Sequence, residues 1–207
     1  KHRQSLEDVK HLFMSAFRTN LMITLICVAG VSALVGEVGA VIFNSTDPKF
    51  AIGLMAVLMW NLLLPWNLGW SLYLGAGEER KSFIVSSWVC TVSKVLLQIA
   101  FVPWGIGAVA FSYALSFSLQ LIWIFRYLKS AGFSLTELLA QYVKIGWVPF
   151  LLALGLGVLG LGSSNSLALL GLKLVAFGIL CLLLIFQFVL TEEEKNLFSN
   201  RLRKRAS

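Results

Sequence analysis

Apolar residues along this chain fall in long unbroken runs, separated by short polar connections. Six runs approach or exceed the roughly 20 residues a helix needs to cross a bilayer: residues 21–43, 51–76, 82–102, 105–125, 142–161 and 167–190. A transmembrane barrel would show segments of about ten residues alternating in polarity, and these runs do not alternate. The pattern predicts an all-α, polytopic membrane protein with six transmembrane helices. "NSTDPK", "GEERK", "PWG" and "GSSNS" are short enough to make neighbouring spans antiparallel hairpins. The connection "RYLKSAGFSLTELLAQ" is longer. There Gly132 breaks the helix, Ser134 or Thr136 offers an N-cap, and a surface helix opening over 136–139 runs into the fifth span.

Composition strengthens this picture and narrows the function. Hydrophobic residues make up 58% and charged residues 13%, against about 25% charged in an ordinary soluble domain, and mean hydropathy is +0.83. The spans leave no room for a water-soluble catalytic domain. The net charge of +7 reads as topology rather than nucleic-acid binding. Of the 17 Lys and Arg residues, all but Lys49, Lys94 and Lys173 fall on one side of the expected spans. The positive-inside rule puts that side, with both ends of the chain, in the cytoplasm. Cys27, Cys90 and Cys181 lie inside apolar runs without metal-ligand spacing, and His2 and His11 precede the first span. No metal site or cofactor is expected.

Four segments follow. Residues 1–20 form a charged amphipathic lead-in on the cytoplasmic side. Residues 21–129 hold four spans, residues 130–190 two more, and residues 191–207 a basic tail whose Leu197, Phe198 and Leu202 suit a short helix on an anionic leaflet. The chain opens on Lys1 with no secretory signal pattern, and it is read as a piece of a longer protein.

Charged groups inside spans are costly and mark pairs or pathways. Glu37 and Lys173 each lie six residues, roughly 9 Å, from the outer end of a span, and Lys94 lies eight residues, roughly 12 Å, from it. Their similar depth allows Glu37 to pair with either lysine. Lys173 can alternatively snorkel to the interface, and Lys94 can alternatively face a water-filled cavity. Ser87, Thr91, Lys94 and Gln98 form a polar stripe at helical spacing, which in lipid must face protein or water. In "WNLLLPWNLGW", Asn61 and Asn67 flank Pro65, which permits a kink. Each Asn serves either interhelical hydrogen bonding or a polar cavity.

The segment "SLYLGAGEERKS" at residues 71–82, the opening Gly105-Ile106-Gly107-Ala108 of the fourth span, "FRYLKSAGFSL" before the fifth and "LTEEEKNLF" after the sixth together resemble the C-terminal part of the polysaccharide-biosynthesis exporters. These belong to the multidrug/oligosaccharidyl-lipid/polysaccharide exporter superfamily, and the resemblance covers nearly the whole chain. It implies the C-terminal bundle of a larger two-bundle transporter, with the first bundle supplied by the rest of the parent chain. It further implies a flippase for lipid-linked oligosaccharide, a polysaccharide or O-antigen repeat unit, in the cytoplasmic membrane.

The substrate's pyrophosphate would then give Lys94, supported by Gln98 and countered by Glu37, a place in the cavity wall. Asn61 and Asn67 are the remaining candidates for substrate contact. No family residue transfers as a known binding position. Competing readings are a drug or ion antiporter of the same superfamily, a membrane-embedded transferase or ligase, and an assembly subunit. The antiporter would have only Glu37 among intramembrane acids, and the outer loops are too short to hold an enzyme's substrate.

Overall fold

The computed structural model describes residues 2–69, 80–159, 166–190 and Lys195. The described residues are helical with short connections, as the apolar runs predict. The helices are α1 (His2–Ala33), α2 (Val35–Ile42), α3 (Pro48–Asn61), α4 (Arg80–Phe101), α5 (Ile106–Ser130), α6 (Leu135–Leu159) and α7 (Leu167–Phe188), with single 3-10 turns at Leu64–Trp66 and Val102–Trp104. Among the described residues, five helices are long and apolar enough to cross a membrane, over Asp8–Ala33, Ile84–Trp104, Gly107–Ser130, Leu135–Leu156 and Leu167–Phe188.

Two expected spans take a different form. The first was expected over 21–43, but α1 is one helix of 32 residues from His2 to Ala33, and the candidate span it contains ends at Ala33. The reason lies in Phe13, Phe17, Leu21 and Leu25, spaced four apart and all buried, so that one core-facing stripe runs through what reads as a surface lead-in. Helix α1 stops where "GVSALVGEVGA" accumulates glycines, the poorest helix formers after proline. Leu34 takes φ −111° and ψ 20°, and α2 continues as a separate helix of 8 residues.

The second expected span, 51–76, is interrupted. Helix α3 has 14 residues, a rise of about 21 Å against a hydrocarbon core of about 30 Å. Pro65 has no N–H to continue the ladder, and the chain tightens into bonds from Leu63 N to Trp60 O (3.0 Å) and from Trp66 N to Leu63 O (3.1 Å). Residues 67–69 are helical again. The rest of that span, the part of the 71–82 motif that precedes Arg80, the "GSSNS" connection and the basic tail apart from Lys195 lie outside the described residues.

Helix ends follow local chemistry. Asp47 Oδ1 accepts from Lys49 N at 2.9 Å, which caps α3. Gly105 precedes α5 at φ 90°, and Gly132 follows it at φ 79°, conformations that side chains with a Cβ rarely adopt. Ser134, not Thr136, caps α6: Ser134 Oγ accepts from Glu137 N at 3.3 Å. The surface helix and the fifth span are therefore one helix, with Leu138 fully buried.

The helices form two packed groups. In one, α5 packs between α3 and α4; in the other, α1 packs on α6 and α7, with α2 against α3 and α7. The groups meet where α1 touches α3 and the Leu64–Trp66 turn. An aromatic joint closes that meeting. The Trp66 ring lies 5.2 Å from Phe17 and 4.7 Å from Phe125, both edge to face, and stacks on Tyr142 at 6.2 Å. Tyr142 also donates its hydroxyl to Leu62 O at 2.7 Å. It thereby satisfies a carbonyl at the helix break, which buried backbone groups require. At one end of the bundle, Lys10 Nζ donates to Gly132 O at 3.3 Å. At the other, Gly107 brings α5 close to Ile52 and Gly53 of α3.

Candidate functional site

Two of the three charges expected inside the apolar runs meet. Lys173 Nζ, on α7, donates to both carboxylate oxygens of Glu37, on α2, at 2.9 and 3.0 Å. Their side chains are 19% and 14% exposed, so the pair sits mostly out of solvent. Glu37 thus faces Lys173, and the snorkelling alternative for Lys173 gives way to an ion pair. Around it, Leu34 and Val38 pack with Leu170 and Leu174, so α2 and α7 share a small apolar cluster beside the charges.

Lys94 lies on a different face. Its ammonium donates to the Tyr113 hydroxyl on α5 and stands 3.7 Å from the centroid of the same ring. Cation–π attraction of this kind contributes about 0.5–2 kcal/mol, depending on desolvation. Tyr113 in turn meets Trp60 of α3 edge to face at 5.2 Å, and Trp60 meets Phe117 at 4.5 Å. The result is a strip of cation, phenol and indole running over α4, α5 and α3.

The remaining candidates distribute as follows. Gln98 is half-buried one turn from Lys94. Thr91 is exposed and donates to Ser87 O of its own helix at 2.9 Å, and within the stripe Lys94 makes the side-chain contact with α5. Asn61 donates its amide to Val57 O at 3.1 Å, which ties up one donor within α3. Asn67 is exposed beyond the 3-10 turn. The structure therefore brings Lys94 to a site without Glu37, and it does not gather the five candidates into one cluster. Trp60 and Tyr113 escaped the sequence reading. Nothing in linear spacing joins a tryptophan on α3 to a tyrosine 53 positions later on α5; a lysine within an apolar run is the local signal that a partner must exist.

Among the described residues no group of three or more His, Cys, Asp and Glu side chains could hold a metal ion. Chemically, the strip can bind: it offers one fixed cation and two ring surfaces. Among the described residues, the fold and the site thus define an all-helical arrangement with five helices long and apolar enough to cross a membrane and a lysine set against the Tyr113 ring. Comparison with protein-family models, with curated proteins and with solved structures found no match.

Proposed function

We propose that this chain is part of a membrane transporter that flips a lipid-linked oligosaccharide across the cytoplasmic membrane by alternating access, without covalent chemistry. The observation that carries the reading is the setting of Lys94. Helices α3, α4 and α5 contain no Asp or Glu, so the charge is held by a phenol and a ring face and is not neutralised by a carboxylate of those helices. A cation in a low-dielectric setting attracts phosphate strongly, and a lipid diphosphate brings phosphate to this depth.

The likeness of "GIGA", "FRYLKSAGFSL" and "LTEEEKNLF" to polysaccharide exporters supports the same substrate class. In this reading the chain supplies the second bundle of a two-bundle transporter, the first bundle provides the opposite cavity wall, and the basic end carrying Lys10, Arg126 and Lys129 faces the cytoplasm. Glu37 holds α2 to α7 and leaves substrate contact to Lys94 and Gln98.

The test is translocation of lipid-linked oligosaccharide in cells, with membrane abundance matched between variants. Lys94→Ala is expected to lower translocation at least tenfold while Lys94→Arg keeps most of it. Normal translocation by Lys94→Ala would remove the observation on which the reading stands.

A further inference from the structure

Lys173 and Lys94, both inside apolar runs, are treated differently by the fold. Lys173 is matched by a carboxylate at 2.9 Å, whereas Lys94 is set against Tyr113, and Tyr113 against Trp60. Cation–π contact steadies an ammonium without cancelling its charge, which leaves Lys94 able to take an anion. Both rings remain open: Tyr113 is 38% exposed and Trp60 is partly exposed. Trp60 lies no farther from the ammonium than the sum of the 3.7 Å and 5.2 Å contacts that link it through Tyr113.

We propose that Lys94, Tyr113 and Trp60 form one binding strip, in which Lys94 takes a phosphate oxygen and the two rings take the sugar joined to that phosphate. The inference rests on the flippase reading and assigns the sugar-facing residues within it. Aromatic rings carry a negative face, which attracts the slightly positive C–H bonds on a pyranose face, and they accept a flat apolar body that water solvates poorly. A phosphate on Lys94 places the first sugar within reach of both rings. The Tyr113 hydroxyl accepts from Lys94 through a lone pair and can donate its own hydrogen to a phosphate or sugar oxygen. The strip thus distinguishes a diphosphate bearing a sugar from a bare phosphate headgroup.

The experiment measures binding to the full chain in nanodiscs with three probes: a polyprenyl diphosphate, the same diphosphate carrying a disaccharide, and phosphatidate. Retention of secondary structure and monodispersity is checked for each variant. The wild type is expected to bind the disaccharide form about tenfold more tightly than the bare diphosphate. Lys94→Ala should weaken both diphosphates about tenfold. Trp60→Leu and Tyr113→Leu should bring the two diphosphates to equal affinity while keeping the Lys94 dependence, and Tyr113→Phe, which preserves the ring, should keep most of the sugar preference.

An unchanged preference in both leucine variants, with Lys94 still required, overturns the sugar assignment and leaves the flippase reading intact. Diphosphate binding that ignores Lys94 overturns both. Phosphatidate bound as tightly as the disaccharide form, with the same Lys94 dependence, shows an ordinary lipid headgroup site and also overturns the strip. Should Trp60→Leu fail to fold, Trp60→Phe and Tyr113→Leu carry the same comparison.

Discussion

Lys173 and Lys94 carry the same charge inside apolar helices, and the groups around each separate their roles. Removing one partner of a partly shielded ion pair strands the other in a poorly polar setting. Glu37→Ala or Lys173→Ala alone should therefore cost roughly 1–3 kcal/mol, less than the loss expected for a fully buried pair. The double change Glu37→Gln with Lys173→Met should recover most of that loss, and so should the charge swap Glu37→Lys with Lys173→Glu. Thermal unfolding in detergent reads all four, and a double neutral variant as unstable as the singles would sink the pairing account. The existence of such a pair was legible in the sequence, because three charges expected at similar depth include one acid, although α1 ends at Ala33 and leaves Glu37 on α2 outside the candidate spans. Its membership was not, because depth says nothing about the direction in which each side chain leaves its helix, and the break at Leu34 redirects α2.

At the scale of the elements, counting apolar residues located the last span well, set the first too far along the chain and missed the break inside the second. Hydropathy reports whether a residue tolerates lipid; it does not report where a hydrogen-bond ladder is cut. Pro65 announced one interruption, and the 3-10 turn at Leu64–Trp66 follows directly from it. The stop after Ala33 has no proline and rests on several weak helix formers acting together. The buried stripe Phe13, Phe17, Leu21 and Leu25 was readable as period-four spacing, but Arg18 within it and Glu7, Asp8 and Lys10 just before it masked it.

Two glycines give this scale its prediction. Gly105→Ala puts a Cβ at φ 90° and should destabilise by about 1–2 kcal/mol. Gly36→Ala, with nothing within 4 Å of the added carbon, should be neutral or stabilise α2 by up to about 1 kcal/mol. Thermal midpoints of the two variants, compared side by side, check the contrast.

Across the whole molecule, Lys10 and Gly132 sit together at one end, while Gly107 meets Ile52 and Gly53 at the other. The proposed orientation makes a labelling prediction. A cysteine replacing Ser130 should react with a membrane-impermeant maleimide only in inverted vesicles, and one replacing Ser45 only in right-side-out cells. The opposite pattern would invert the topology. Burial is also uneven: 44% of the α1 spanning window is buried within the chain, against 6% of the α4 window. Trp88, Leu96 and Ile99 on α4 stand 65%, 61% and 66% exposed, whereas Phe17 and Leu21 on α1 are at 0%. A side chain that meets only fluid acyl tails has no shape to match, so any apolar replacement of similar size serves equally well. A saturation library selected for membrane abundance should therefore accept free exchange among Leu, Ile, Val, Phe and Met at those three α4 positions and reject most changes at Phe17 and Leu21. Over generations the outer face of α4 would drift while the α1 stripe stood still, leaving within a single chain one helix that records ancestry and another that forgets it.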